Sequence, residues 1–256
     1  MKPLSPALLA VIAAVALAGC QKQDDAQFGA RVHTYLMAHP EVLEEVSLKL
    51  QAKRQAEAEA ATKATVAKAS LMIPKYRDQI ERDPRDVVAN PGGRVTVTEF
   101  FDFRCGYCKA SAPEVLKLID ENPDVRFVFK QTPIFGGVSD LAAQTVLTPA
   151  GKAKGVALFR AIMSDHDPLD EASLDRHLSA VGVDPAAARR NAQSPAIRKQ
   201  IDDTHTLFTA LGADGTPTFV VGDHLIVGAR MDELRAAVTQ AKAAPLKTDR
   251  QVAARS

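Results

Sequence analysis

Two of the chain's three cysteines, Cys105 and Cys108, lie three residues apart in the stretch FFDFRCGYCKASAP. Three chemistries use this spacing: zinc binding, a structural disulfide and reversible thiol–disulfide exchange. A zinc site needs four ligands, and the sequence has no second cysteine pair to supply the other two. A structural disulfide that closes so short a loop restricts the unfolded chain only slightly. We therefore expect thiol–disulfide exchange and no metal site, and a zinc site or a structural disulfide is the less favoured alternative.

The residues on either side of this pair predict a strand end followed by a helix start. Residues 95–101 have the pattern of a short buried strand, and residues 109–121 that of a helix. Cys105 would then lie at the helix N-terminus, where free N–H groups and the helix dipole stabilise a thiolate. We therefore predict that Cys105 is the nucleophile. Cys108, one turn further along, is placed to attack the mixed disulfide and release the substrate.

The order of the predicted elements indicates an α/β fold. A helical region ends at a turn over residues 90–93, and the first strand and helix are followed by a second strand over residues 125–130. Two strands follow near the end, Thr218–Val221 and His224–Val227, joined by a two-residue hairpin turn. Between these parts, residues 138–211 show helical periodicity broken by prolines at 149, 168, 185 and 195. We expect β-α-β, a helical insert, β-β-α with a last helix over 231–244, and a disordered tail over 245–256.

The active-site stretch resembles a known family. Cys-Gly-Tyr-Cys-Lys, with Pro113 five residues after the second cysteine, resembles the thioredoxin active-site helix, and TVTEFFDFRCGYCK is similar to the DsbA-like thiol–disulfide oxidoreductases. The similarity is greatest to the Com1 and ScsC type, whose members also carry an N-terminal helical extension. It implies a thioredoxin fold over residues 91–244, with a helical domain inserted at about 138–211. It also implies exchange on exported, cysteine-containing clients, a membrane redox partner that resets the site, and no cofactor.

The resemblance implies roles for further residues. In GTPTFVVG, Thr216 and Pro217 match the family's loop facing the active site, whose proline is cis and whose backbone binds substrate together with Gly106 and Tyr107. Glu99 matches a buried acid that relays a proton to or from the second cysteine. Because neighbouring side chains of a strand point to opposite faces, the alternative is a Glu99 that faces outward. Lys130 could pair with Glu99, but an exposed lysine at a strand end is the preferred interpretation.

The N-terminus predicts export and anchoring. Residues 1–19 combine Lys2 with an apolar run too short to span a bilayer, and the run ends in Leu-Ala-Gly-Cys, which resembles a bacterial lipobox. Cys20 would carry the lipid, at the head of a tether over residues 20–27. The alternative is an ordinary secretory signal. We expect a lipid-anchored protein of the cell envelope that faces the periplasm, and Gln21 after the cysteine favours the outer membrane. With 32 basic and 31 acidic residues, nucleic-acid binding is not indicated.

The helical extension over residues 28–90 contains a heptad pattern. Spacings of four and three connect Val32, Leu36, His39, Leu43, Val46 and Leu50, which we call the seam, and Pro74 is predicted to interrupt the helix. So narrow an apolar stripe needs a partner face. We predict a homo-oligomer formed through residues 28–73. The alternatives are a helix that folds back on its own domain and a solvated stalk.

The direction of electron flow is indicated only by resemblance. The Gly-Tyr dipeptide between the cysteines and the threonine before the cis proline resemble DsbC-type isomerases. We therefore expect a disulfide isomerase or reductase, with a DsbA-like dithiol oxidase as the alternative. A non-catalytic surface lipoprotein or holdase is the alternative of another class.

Overall fold

The computed structural model describes residues 25–244, which divide between Ala60 and Ala61 into two compact units. The described part of the first unit is helical: α1 covers residues 25–38, and α2 (Glu41–Glu81) begins after a break at His39–Pro40. The seam was predicted to run unbroken through this point. The residue before a proline is driven out of the helical conformation, which explains the break.

Pro74 does not interrupt α2, contrary to the sequence prediction. A proline inside a helix removes one hydrogen bond and costs about 3 kcal/mol. In this helix the neighbouring side chains Ala69, Ile73 and Ile80 are fully buried in an apolar cluster with Phe100 and Phe208. Packing of this turn against the domain offsets the lost hydrogen bond, so the helix continues to Glu81.

The second unit contains a five-stranded sheet in the order β1-β3-β2-β4-β5. The parallel pair β2–β3 lies at its centre, and the other neighbours are antiparallel. The strands are β1 (Val87–Ala89), β2 (Val95–Phe101), β3 (Val125–Gln131), β4 (Thr218–Val221) and β5 (His224–Val227). Every residue of β2 is buried, because helices cover both faces of the sheet.

The helices that begin in this unit are α3 (Gly106–Glu121), α4 (Val138–Val146), α5 (Pro149–Ala153), α6 (Gly155–Met163), α7 (Glu171–Ala180), α8 (Pro185–Ala192), α9 (Pro195–Ala210) and α10 (Met231–Ala243). Of these, α4 to α9 lie within the predicted insert at residues 138–211. Pro149, Pro185 and Pro195 each occupy a first helical position, where the missing N–H costs nothing. Pro168 lies between α6 and α7.

The predicted start of the domain at residue 91 requires correction. Strand β1 lies before it and pairs with β3, and the last turns of α2 are buried against the sheet. The sequence analysis placed both in the helical extension. A chain shortened to begin near residue 90 would lose an edge strand and uncover Phe100, so we do not expect it to fold independently.

The cores on the two faces of the sheet differ. One face carries an aromatic cluster in which Phe101 contacts Phe103, Phe129 and Phe159 with ring centroids 4.9–5.9 Å apart. The other packs Phe100 of β2 against Phe208 of α9 and the last turns of α2. Packing on both faces fixes the end of β2, from which the cysteine segment projects. Among residues 25–244, none of the helices has the length and apolar character that a membrane crossing requires.

Candidate active site

Cys105 caps the N-terminus of α3, directly after the loop that leaves β2. Its sulfur accepts a hydrogen bond from the backbone N–H of Cys108 at 3.4 Å. The predicted strand end and helix start are therefore present, although α3 begins at Gly106 and not at Lys109. The helix was predicted to start late because glycine has a low helix propensity. In the first turn of a helix, however, Gly106 is tolerated.

The two thiols differ sharply in acidity. Hydrogen bonding from the Cys108 thiol, and then from backbone N–H groups of the first turn, lowers the pKa of Cys105 to about 6 in spite of its burial. Removal from water raises the pKa of Cys108 far above its ordinary value, and the nearby Glu99 acts in the same direction. Cys105 is thus a thiolate at neutral pH, whereas Cys108 stays protonated until something removes its proton.

The loop containing Pro217 contacts the Cys105 sulfur. The Thr216–Pro217 peptide bond is cis, as the resemblance implied. In its protonated form the Cys105 thiol donates to the carbonyl oxygen of Thr216, with sulfur and oxygen 3.1 Å apart. The hydroxyl oxygen of Thr216 is buried without a partner. Gly106 and Tyr107 are exposed on the first turn of α3, and Tyr107 is 74% exposed. Thr216 and the backbone of Tyr107 contact the sulfur that would meet a substrate, and Pro217 and Gly106 are their neighbours in the chain.

Glu99 is buried beneath the cysteines. Neither of its carboxyl oxygens has a hydrogen-bond partner, and removal from water, with a smaller effect of the Cys105 charge, raises its pKa to about 8. The alternative of an outward-facing glutamate is wrong, because both faces of β2 are covered. A carboxyl group that titrates near neutral pH in this position can accept and return a proton.

Lys130 neither pairs with Glu99 nor lies exposed. It is buried, and its Nζ contacts Asp86 Oδ2 at 2.6 Å and donates to the carbonyl oxygen of Gln79 at 2.5 Å. Lys130 is buried there because Asp86, just before β1, lies across from the end of β3. Because β1 was not predicted, the sequence offered no partner for Lys130.

The sequence analysis also missed Asp102, three residues before Cys105. Its carboxylate is buried and accepts hydrogen bonds from the segment that follows β3 as well as from the cysteine segment. A single aspartate in the apolar run FFDF was a usable signal, because a carboxylate there must be exposed or fully hydrogen-bonded.

The remaining predicted features belong to the ends of the chain. Cys20, the signal segment, the start of the tether and the tail over 245–256 lie outside the described residues. Within residues 25–60, the seam residues Val32, Leu43, Val46 and Leu50 are between 39% and 56% exposed. Among the described residues there is no group of three or more His, Cys, Asp or Glu side chains arranged to hold a metal.

Comparison with known proteins gives consistent matches for both parts of the chain. Residues 96–239 match the family described as DSBA-like thioredoxin domain, and residues 24–57 match the copper resistance protein ScsC N-terminal domain. The thiol:disulfide interchange protein DsbA of Pseudomonas aeruginosa is 29% identical over 153 residues, which cover 57% of this chain and 71% of that protein.

Solved structures show the same similarity in three dimensions. A thioredoxin-like oxidoreductase from Silicibacter pomeroyi is 37% identical with a TM-score of 0.62, and the match covers 66% of this chain and 99% of that one. ScsC from Proteus mirabilis, in a transitional conformation, is 26% identical with a TM-score of 0.59, over 86% of this chain and 97% of that one.

Proposed function

We propose, from the premise that this chain belongs to the family of DSBA-like thioredoxin domains, that Cys105 and Cys108 exchange disulfides on exported proteins. Membership makes the chain a thiol–disulfide oxidoreductase. The observation that supports these residue roles is the difference between the thiols: the pKa of Cys105 is lowered to about 6, and that of the buried Cys108 is raised. The non-catalytic lipoprotein or holdase alternative does not account for this difference.

The chemical steps follow from the two acidities. The Cys105 thiolate attacks one sulfur of a client disulfide, the client sulfur–sulfur bond breaks, and the other client sulfur leaves as a thiolate. A mixed disulfide joins Cys105 to the client. Cys108 then loses its proton to the Glu99 carboxylate and attacks Cys105, which releases the client sulfur and leaves a Cys105–Cys108 disulfide. An isomerase cycle instead ends when another client thiolate displaces Cys105, with no net electron transfer.

We propose that the cycle runs as isomerisation or reduction, with the oligomer keeping Cys105 reduced. The support is the exposed seam in the first unit, together with the match of residues 24–57 to the ScsC N-terminal domain. Exposed apolar side chains at heptad spacing favour association with another helix. Oligomerisation through residues 28–73 would withhold the thiols from enzymes that oxidise monomers and surround a client with several of them.

A DsbA-like dithiol oxidase is the second candidate. The observation that favours it is the lowered pKa of Cys105, because stabilising the thiolate stabilises the reduced form and makes the disulfide a stronger oxidant. Either enzyme would work in the cell envelope, reset by a membrane redox partner. We propose lipid attachment at Cys20 facing the periplasm, with the outer membrane preferred.

One experiment separates the two candidates through the seam. Glutamates replace Val46 and Leu50 together, and Leu48→Glu is the control, since Leu48 is at least as exposed as either residue but lies off the seam. Light scattering measures the oligomer, and refolding of scrambled ribonuclease measures isomerase activity. We expect the Val46→Glu/Leu50→Glu chain to be monomeric and to lose isomerase activity while it keeps dithiol oxidase activity. A wild type that is already monomeric, or a monomer that isomerises as well as the wild type, would favour the oxidase.

A further inference from the structure

A cavity lies at the end of the sheet opposite the cysteines. Its volume is about 380 Å³, and its walls are the end of α2, the start of β2, the turn between β4 and β5, and the end of α10. All of these parts belong to the second unit. The seven residues of β2, at about 3.3 Å each, separate the cavity from the cysteine segment by about 20 Å. A ligand in this cavity would therefore not touch the thiols.

The arginines that line this cavity outnumber its carboxylates. Arg77, Arg82 and Arg94 all lie in its wall. The two carboxylates there, Glu81 and Asp223, are both paired with Arg77, and Arg77 Nη1 is 2.9 Å from Glu81 Oε1. The exposed side chain of Arg82, by contrast, makes neither a hydrogen bond nor an ion pair within the described residues. Its five N–H donors are therefore available to a ligand.

Two neighbouring arginines are only weakly compensated. Arg94 Nη2 donates to the carbonyl oxygen of Lys242 at 2.8 Å. Its Nε lies 3.7 Å from Asp124, whose carboxylate is closer to Lys242, at 2.8 Å. Arg126 donates to backbone carbonyl oxygens, and burial, followed by the charge of Arg82, lowers its pKa. An anion bound to Arg82 would offset this repulsion between the two guanidinium groups.

A buried hydroxyl in the same wall is a second, independent observation. Thr96 lines the cavity and is 7% exposed, and its Oγ1 has no hydrogen-bond partner among residues 25–244. Thr98, two residues further along the same face of β2, instead donates to the carbonyl oxygen of Ile80 at 3.0 Å. Buried hydroxyl groups are nearly always hydrogen-bonded, so the unpaired hydroxyl of Thr96 points to an acceptor that comes from outside the chain.

We propose that this cavity binds a phosphate group, with the guanidinium groups of Arg82 and Arg94 and the hydroxyl of Thr96 as its donors. Guanidinium groups form paired, charge-assisted hydrogen bonds with phosphate oxygens. Cavities that hold small molecules range from about 300 to 1,000 Å³. This one lies at the lower end of that range and accommodates a phosphate with a small organic group, from a lipid head group or from a soluble phosphate ester. The site is independent of the proposed thiol chemistry.

The test titrates three probes into the full chain containing isotope-labelled arginine, so that the side-chain N–H signals of Arg82 and Arg94 report binding by nuclear magnetic resonance. The probes are inorganic phosphate, glycerol phosphate, and dihexanoyl phosphatidylglycerol below its critical micelle concentration, all at constant ionic strength. We expect both signals to shift saturably, and to do so at lower concentrations of the organic probes than of inorganic phosphate. The organic probe that binds more tightly identifies the source of the phosphate, a soluble ester or a lipid head group.

Three variants and a control make the result specific. Arg82→Ala and Arg94→Ala should each raise the dissociation constant of the tightest probe about tenfold, because each removes a charge-assisted hydrogen bond. Thr96→Val keeps the shape of the side chain and should raise the constant about threefold. It should not lower the thermal stability, because the hydroxyl has no partner to lose. Arg176→Ala is the matched control and should leave the constant unchanged, since Arg176 is also exposed and makes no ion pair in the described part of the chain, but lies on α7.

Three results would overturn the site. The first is a wild type in which none of the probes gives saturable shifts. The second is an equal loss of affinity in Arg176→Ala and Arg82→Ala, because the shifts would then report only the overall charge. The third is a Thr96→Val chain that binds as tightly as the wild type. Disulfide exchange should be the same in all of these variants, so failure of the phosphate site and failure of the proposed function are separate outcomes.

Discussion

Replacing Glu99 by glutamine should change how the stability of the reduced protein depends on pH. The carboxyl pKa rises from 4.5 to about 8 because burial disfavours its charge, with a smaller effect of the Cys105 thiolate. A raised carboxyl pKa stabilises the folded state fully below pH 4.5, and this contribution is lost as the pH rises to about 8. At 1.36 kcal/mol for each pKa unit, the whole loss is about 5 kcal/mol.

Cys105 acts in the opposite direction. Its pKa falls from 9.0 to about 6, so its contribution is fully present above pH 9 and is lost as the pH falls through 6. The change between pH 6 and 9 is about 4 kcal/mol. In the wild type the free energy of unfolding should therefore fall by about 2 kcal/mol between pH 4.5 and 6 and stay nearly level to pH 8. In Glu99→Gln it should be level to pH 6 and then rise.

Urea unfolding of the reduced proteins at pH 5, 6, 7, 8 and 8.5 measures both profiles. The range ends below pH 9, where ionisation of Cys108 in the unfolded chain would add a third contribution. The two proteins should differ by less than about 1 kcal/mol at pH 5 and by about 5 kcal/mol above pH 8, with Glu99→Gln the more stable. Parallel profiles would refute the reasoning, because they would mean that Glu99 is ionised in the folded protein at all of these pH values.

The remaining predictions concern the cysteines and the buried ion pair. Cys108→Ala should accumulate mixed disulfides between Cys105 and clients on non-reducing gels, because attack continues without resolution, and Cys105→Ala should accumulate none; equal trapping would contradict the assigned roles. Cys20→Ser should move the protein from the membrane fraction to the soluble fraction. A wild type that is recovered without lipid would contradict the lipid anchor. Lys130→Met should lower the free energy of unfolding by about 3 kcal/mol at pH 8. The loss should be smaller at pH 5, because burial raises the pKa of Asp86 to about 6, so that its carboxyl is protonated at pH 5. An equal loss at pH 5 and pH 8 would refute this role of the ion pair.

The sequence predicted those parts of the fold that depend on local chemistry. The hairpin Thr218–Val221 and His224–Val227 was predicted to the residue, because a two-residue turn with Gly222 at φ 59° determines where both strands end. The prolines at the starts of α5, α8 and α9 are local signals of the same kind, because each marks where its own helix begins. The position of Cys105 could be predicted for the same reason, since a strand end and a helix start lie next to each other in the chain.

The features that were missed depend on partners distant in sequence. Strand β1 has three residues and exists because β3 offers it an edge. Lys130 is buried because Asp86, just before β1, compensates its charge. Glu99 could not be placed by alternation, because only the packing of helices on both faces excludes an outward position. The hydrogen bonds of Asp102 likewise join residues more than thirty positions apart.

The lowered pKa of Cys105 does not by itself decide between oxidase and isomerase. At pH 7, a shift from 9.0 to about 6 stabilises the reduced form by only about tenfold, since just one pH unit separates the solution from the lowered pKa. Tenfold corresponds to about 30 mV for a two-electron couple, against about 150 mV between thioredoxin and DsbA. The same 30 mV helps an isomerase, which must keep its nucleophile reduced. Under our proposal, access of the thiols to oxidising partners therefore decides the direction, and the proposed oligomer formed through the exposed seam of the first unit would control that access.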